Sequence, residues 1–132
     1  MPIHQEAIID ARPEQVYSLL TDGQKFGDAT GQPARVNDRE GEAFTLFAGR
    51  VEGRQIELVP GKRVVQAWRF GGDHPAAWDA GVYSVVRFTL EPEGQSTRFV
   101  IDHVGIPPQS KERIASGYPT FYRDPIARYF AR

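Results

Sequence analysis

The sequence predicts an α+β fold, in which consecutive antiparallel strands lie between short N-terminal helices and one long C-terminal helix. Residues 43–105 form five short apolar segments separated by Gly, Pro and Asp, as in the strands of an antiparallel meander. Residues 107–132 instead place apolar side chains at helical spacing. Because 132 residues provide one hydrophobic core, we expect a single domain over residues 1–132.

The composition argues against several classes of partner and chemistry. Lys and Arg total 16 and Asp and Glu total 17, which gives a net charge of -1. No run of like charges occurs, so we expect neither a nucleic-acid nor a membrane partner. The N-terminus has no basic segment followed by an apolar one, and a cytoplasmic location is therefore expected. The chain has no cysteine, which excludes disulfides and thiol nucleophiles.

The N-terminal third is predicted to contain a strand followed by a short helix. Residues 3–9 alternate loosely between apolar and polar side chains, and from Pro13 onward apolar side chains recur at helical spacing. Residues 21–35 are polar and rich in Gly, with Phe26 as the one large apolar anchor. This last segment is predicted to be either a short helix or an irregular loop.

Alternation within the last three apolar segments assigns their faces. Gln66, Ser84 and His103 fall on faces that are otherwise apolar, which is unusual for a dry core. Residues 91–97, EPEGQST, predict the hairpin between the last two strands. The side chains predicted to face the core are Val64, Gln66, Trp68 and Phe70, then Ser84, Val86, Phe88 and Leu90, then Thr97, Phe99, Ile101 and His103.

The C-terminal segment carries a broad aromatic and aliphatic stripe that is interrupted by prolines. Pro119 and Pro125 would each remove an intrahelical hydrogen bond. We therefore expect this helix to be kinked, or to break near Gly117 and restart with Pro119 in its first turn. The stripe consists of Ile114, Tyr118, Phe121, Tyr122, Ile126, Tyr129 and Phe130.

This order of elements is that of the helix-grip fold, in which a curved sheet wraps around the last helix. Residues 41–70, 83–107 and 117–130 also resemble the activator of heat-shock protein 90 ATPase homologue-like family, a branch of the START-like, birch-pollen-allergen-like superfamily. The resemblance implies a helix-grip fold with a cavity between the sheet and the final helix. The positions that carry it are Gly49, Gly53, Pro60, Trp68, Arg69, Thr97, His103, Gly117, Tyr118 and Tyr122.

The implied cavity suggests a set of ligand-binding residues. Trp68 shares a strand face with core residues, so it is predicted either to fill the core or to wall the cavity. Trp78 follows a Gly-rich loop and is predicted at the rim of an opening. Ordinary core packing remains the alternative for each aromatic residue. The candidates are Trp68, Trp78, Ser84, Phe88, Phe99, His103, Tyr118 and Tyr122.

His103 offers acid/base chemistry, although burial beside a hydroxyl or carbonyl partner is the alternative. If Glu57 faces inward, it would form an acid/base pair with His103; otherwise it is an ordinary exposed glutamate. The spacing of His4, His74 and His103 is not that of metal ligands, and no cofactor, metal or catalytic residue is assigned.

Three functions remain open at this point. The first is binding of a small hydrophobic or aromatic molecule, or a lipid, in the cavity, which the scattered polar groups on apolar faces favour. The second is a partnership with a heat-shock protein 90-type chaperone, which the family resemblance implies. The third is an enzyme resembling polyketide cyclases and aromatases; because no acid/base constellation is recognisable, enzyme activity is the least favoured.

Overall fold

The computed structural model describes residues 2–72 and 76–131. Its six-stranded antiparallel sheet has the strand order β1-β6-β5-β4-β3-β2, so β2 to β6 form a meander and β1 pairs with β6. This is the predicted helix-grip arrangement. The strands are β1 (Ile3–Ile9), β2 (Ala43–Leu46), β3 (Val51–Val59), β4 (Arg63–Phe70), β5 (Ser84–Glu93) and β6 (Ser96–Val104); the helices are α1 (Pro13–Leu20), α2 (Gly23–Thr30), α3 (Pro108–Tyr118), a π-helical turn (Pro119–Arg123) and α4 (Asp124–Phe130).

The predicted faces of β4, β5 and β6 are confirmed. Every side chain assigned to the core face is buried except Phe70, which is half-buried. The intervening residues of β5 and β6 are mostly exposed or half-buried, as alternation requires. Gln66, Ser84 and His103 are therefore interior polar groups, and each needs a hydrogen-bond partner.

A β-bulge in β3 reverses the alternation of that strand. Gln55 and Glu57 pair with successive residues of β4, which leaves Ile56 without a partner there and half-exposed. Because one residue is added, Gln55 faces the interior before the bulge and Leu58 packs against the core after it, while Glu57 faces outward.

Residues 23–30 form helix α2, so the helical alternative for residues 21–35 is confirmed. The Asp22 side chain accepts a hydrogen bond from the backbone N–H of Lys25 at 3.0 Å, which caps the helix start. Gly31 ends the helix with a φ of 77°, a conformation that favours glycine. The helix buries Phe26 against the rings of Phe47 and Tyr122.

The C-terminal helix is continuous, so of the two predicted forms, a kinked helix or one broken near Gly117, the broken form is wrong. Pro119 has no N–H to donate to the carbonyl of Ala115, and that carbonyl accepts a hydrogen bond from Gln5 Nε2 at 2.7 Å instead. Within the π-helical turn, the N–H of Asp124 donates to the carbonyl of Pro119, five residues earlier. A side chain of β1 thus replaces the bond that the proline removes.

The core lies between the inner face of the sheet and the helices. Val64, Val86 and Phe88 are fully buried on the strands, and Ile126 is fully buried on α4. Within the described ranges, no helix is both long and apolar enough to cross a membrane.

Candidate functional site

A partly open cavity of about 260 Å³ lies between the sheet and the C-terminal helix. This volume is slightly below the roughly 300–1,000 Å³ that is typical of small-molecule sites. Most of its wall is aromatic or aliphatic. The lining residues are Gln32, Phe47, Arg50, Val51, Trp68, Phe70, Arg113, Ile114, Gly117, Tyr118, Phe121 and Tyr122.

A turn after β2 brings Phe47 into this wall. Phe47 and Ala48 have φ values of 53° and 58°, in the left-handed region that residues other than glycine rarely adopt. This conformation costs about 1–2 kcal/mol per residue. The Phe47 ring is buried, with centroid distances of 5.7 Å to Phe26 and 5.8 Å to both Phe121 and Tyr122. Aromatic packing at the cavity therefore offsets the backbone strain.

A chain of hydrogen bonds holds the indole of Trp68 in place. Trp68 Nε1 donates to Gln66 Oε1 at 2.8 Å, and Gln66 Nε2 donates to Gln55 Oε1 at 3.1 Å. Gln55 Nε2 in turn donates to the backbone carbonyl of Asn37 at 2.7 Å. The two buried glutamines are thus explained by the need to satisfy and orient the tryptophan, and the cavity wall is fixed from behind.

His103 connects the sheet to the C-terminal helix through both ring nitrogens. Nε2 lies 2.7 Å from Ser84 Oγ, and Nδ1 lies 2.7 Å from the Tyr118 hydroxyl. Ser84 donates to the backbone carbonyl of Trp68, so its oxygen is left to accept from Nε2–H. We therefore assign the proton to Nε2, and in this tautomer Tyr118 donates to Nδ1.

Burial sets the charge state of this pair. Desolvation lowers the pKa of His103 from 6.5 to about 4, so the imidazole is neutral at pH 7. Desolvation likewise raises the pKa of Tyr118 well above its usual value, so the phenol stays protonated and can donate. His103 therefore has the buried, satisfied role that was the alternative to acid/base chemistry.

The hydroxyl of Tyr122 is buried and has no hydrogen-bond partner within the described residues. Its ring packs against Phe88 and Tyr118, each with a centroid distance of 5.4 Å, and burial raises the pKa of the phenol. An unpaired buried polar group costs about 1–3 kcal/mol. Tyr122 also lines the cavity, but its oxygen is buried, so a bound molecule would contact its ring and not its hydroxyl.

The structure brings three of the predicted binding residues together at the cavity: Trp68, Tyr118 and Tyr122. The Trp68 ring lies 6.1 Å from the rings of both tyrosines. Ser84 and His103 lie behind this wall, where they bond to the backbone of Trp68 and to the Tyr118 hydroxyl respectively.

The other three predicted residues lie outside the wall. Phe88 and Phe99 stack on each other at 5.5 Å in the core and are fully buried. Trp78 is 5% exposed rather than at a rim, because its Nε1 donates to Ser110 Oγ at 2.9 Å and its ring packs against Phe70. It holds the loop after β4 against the start of α3, behind the cavity-lining Phe70.

Several lining residues were not identified from the sequence. Phe121 follows Ile114 and Gly117 at helical spacing, so the apolar stripe contained a signal for it. Phe47 and Arg50 lie in a turn whose conformation has no clear sequence signal apart from Gly49. Their place in the site follows from backbone geometry.

The hypothesis of an acid/base pair between Glu57 and His103 is wrong. Glu57 faces outward after the bulge and accepts from Arg63 Nε at 2.7 Å. His103 is bonded to Ser84 and Tyr118 instead.

The described lining of the cavity contains two arginines and no Asp, Glu or His. Arg50 and Arg113 are both exposed. Within residues 2–72 and 76–131, no cluster of three or more His, Asp or Glu side chains could hold a metal ion. His74, considered above as a ligand, lies outside the described residues.

Residues 10–131 match the protein family described as activator of Hsp90 ATPase homolog 1-like protein. The chain belongs to this family. The matched residues include those that line the cavity and the whole C-terminal helix, so the cavity lies within the part of the chain that matches the family.

Two curated relatives are longer than the chain. The chain is 28% identical over 118 residues to human activator of 90 kDa heat shock protein ATPase homolog 1, covering 89% of this chain and 33% of that protein. An uncharacterised Schizosaccharomyces pombe protein is 26% identical over 128 residues, covering 97% and 37% respectively. The chain thus spans about a third of the length of the curated relatives it matches.

Among solved structures, an HSP90 activator from Plasmodium falciparum has the same fold. It superposes with a TM-score of 0.87 at 22% identity, covering 99% of this chain and 96% of that one. At 22% identity, this similarity supports the fold of the chain and says nothing about what the chain binds.

Proposed function

We propose that this family member binds a small, largely apolar molecule in the cavity between the sheet and the C-terminal helix. The observation that carries the proposal is the aromatic wall of Trp68, Tyr118 and Tyr122, which is held from behind by satisfied buried polar groups. A wall that is oriented before the ligand arrives lowers the ordering cost of binding.

The polar side chains of the lining give further support, and they are those of Gln32, Arg50 and Arg113. Small-molecule sites are mostly apolar with a few polar groups that fix ligand orientation. Tyr118 cannot serve in this way, because its hydroxyl is already bonded to His103. The Tyr122 hydroxyl cannot either, because its oxygen is buried away from the cavity surface.

The volume limits the ligand. About 260 Å³ accommodates one short chain or a small ring system, and a long lipid would extend outside. Phe121, which is 46% exposed, lies at the open side and would cover part of such a molecule.

A matched pair of variants at Gly117 tests the proposal. Gly117 lines the cavity, and a Cβ placed there would lie 3.4 Å from the Phe121 ring, so Gly117→Ala fits and Gly117→Leu extends further into the space. Both substitutions improve helix propensity by up to about 1 kcal/mol.

Native mass spectrometry of freshly purified wild-type protein is expected to show a small molecule that is lost on denaturation.

Binding of 1-octanol, followed by isothermal titration calorimetry, completes this test. Wild type and Gly117→Ala are expected to bind with similar affinity, and Gly117→Leu is expected to bind at least about tenfold more weakly because it occupies the ligand's space. Equal affinity in all three proteins would contradict binding in this cavity.

Partnership with a heat-shock protein 90-type chaperone is the second candidate, and the shared family with named activators favours it. Its test is the affinity of the purified protein for such a chaperone from the same organism, together with the chaperone's ATP turnover. Tight binding with altered turnover is expected if the role is present. No binding and unchanged turnover would exclude it.

A cyclase-like enzyme has less support. In the described lining of the cavity there is no carboxylate or imidazole to transfer a proton, and the nearby His103 is bonded on both nitrogens.

A further inference from the structure

We infer that the ligand is an anionic amphiphile, whose charged group is held by Arg50 and Arg113 at the mouth while a short apolar body occupies the cavity. This inference rests on the proposed function, because it names the ligand class of the same cavity. It concerns the charged mouth of the cavity, which the aromatic wall does not explain.

The charged residues among the described lining of the cavity are all of one sign. Arg50 and Arg113 both line the cavity and are exposed, and the described lining residues include no carboxylate. Two positive charges beside an apolar wall of low dielectric constant produce a positive electrostatic potential at the mouth, which attracts an anion.

The two guanidinium groups also have free hydrogen-bond donors. In the part of the chain that the structure describes, Arg113 forms no ion pair, and Arg50 has one long contact of 3.5 Å with the Gln32 side-chain oxygen. Elsewhere in the sheet, arginines such as Arg63 and Arg98 are paired with glutamates. The planar fork of Arg matches a carboxylate or phosphate oxygen pair, so an anionic head group complements this mouth.

The cavity and its inner wall define the rest of the molecule. Apolar side chains from β3, β4 and the C-terminal helix leave room for one short chain or ring, which excludes the two long chains of a membrane phospholipid. A free, single-chain or monocyclic carboxylate therefore fits best.

Three probes of equal chain length separate this inference from the proposed function: octanoate, 1-octanol and octylammonium. Each is titrated into the wild-type protein by calorimetry at low ionic strength, below its own aggregation concentration. Octanoate is expected to bind about tenfold more tightly than 1-octanol, because its head group gains charge-assisted hydrogen bonds. Octylammonium is expected to bind most weakly, and added salt is expected to narrow the differences.

Variants assign the effect to the two arginines. Arg50→Gln combined with Arg113→Gln is expected to remove the preference for octanoate, so that octanoate and 1-octanol bind this variant with similar affinity. Arg128→Gln is the matched control, because Arg128 is exposed on α4, carries the same charge and does not line the cavity. The Arg128→Gln variant is expected to keep the preference for octanoate over 1-octanol.

The outcomes are distinguishable. If 1-octanol binds wild type as tightly as octanoate does, the inference fails and the proposed function stands. If none of the three probes binds, both fail. If the protein instead sediments with phosphatidylglycerol vesicles and octanoate does not compete, the anion is a membrane lipid and the inference is overturned. Loss of the preference in Arg128→Gln would also overturn it.

Discussion

The Tyr118 hydroxyl lies 2.7 Å from His103 Nδ1, so the residue that lines the cavity with its ring is bonded through its oxygen to strand β6. The same imidazole is bonded to Ser84 on β5. This connection fixes the C-terminal helix relative to β5 and β6, and it makes the shape of the cavity depend on a neutral histidine.

The titration of His103 is the first prediction. Its folded pKa is about 4, against 6.5 for an unperturbed histidine, because burial disfavours the charged form. An NMR titration is expected to show His103 unprotonated down to about pH 5. His4 is the internal reference: hydrogen bonds to Asp102 and Glu6 raise its pKa above 6.5. A His103 midpoint at or above 6.5 would contradict the buried network.

The same shift predicts how stability depends on pH. Between pH 6.5 and 4 the unfolded chain binds a proton at His103 that the folded chain does not, so the free energy of unfolding rises with pH. This contribution is complete above pH 6.5, is lost as the pH falls toward 4 and amounts to roughly 3 kcal/mol. Urea unfolding at several pH values measures it, and no loss of stability from pH 7 to pH 4 would contradict the assignment.

Two buried tyrosines should respond differently to loss of their hydroxyls. Tyr118→Phe leaves His103 Nδ1 unpaired and is expected to reduce the free energy of unfolding by about 1–3 kcal/mol. Tyr122→Phe removes a hydroxyl that has no described partner, so its effect is expected to be near zero or stabilising.

Tyr83→Phe is the control for this pair, because Tyr83 is 51% exposed and the change is expected to stay within about 0.5 kcal/mol. Urea unfolding of the three variants gives the comparison. Equal destabilisation by the Tyr118 and Tyr122 substitutions would show that the Tyr122 hydroxyl is satisfied in solution.

Gly53 is expected to tolerate no side chain. It pairs with Trp68 in the sheet, and a Cβ at this position would lie 1.8 Å from the carbonyl oxygen of Ala67 and 2.8 Å from the Phe44 ring. The backbone would have to move, so Gly53→Ala is expected to lower the free energy of unfolding by about 3 kcal/mol or more. Gly117→Ala, which meets only the Phe121 ring at 3.4 Å, is the matched control and should not destabilise in the same unfolding assay.

The sequence predicted the sheet well, because alternation reports burial directly wherever one face of a strand is solvent-facing. Phe88, Phe99 and Trp68 were placed on the correct face in this way. The β-bulge at Ile56 shifts this alternation by one residue, so the face of Glu57 could not be predicted from the sequence.

The cavity itself was harder to predict. Core residues and lining residues share one face of the sheet, so alternation does not separate Phe88 from Trp68. Phe47 enters through a left-handed turn, and Trp78 turns inward to bond with Ser110; both depend on tertiary contacts. The continuity of the helix at Pro119 likewise depends on a partner from β1.

The two tryptophans provide the most direct test of a ligand in the cavity. Trp68 lines it, whereas Trp78 is buried outside it behind Phe70. In a ¹H–¹⁵N spectrum titrated with octanoate or 1-octanol, the indole N–H signal of Trp68 is expected to shift and saturate, with a much smaller change at Trp78. If neither signal moves, or if the larger saturable shift is at Trp78, the cavity is not the binding site.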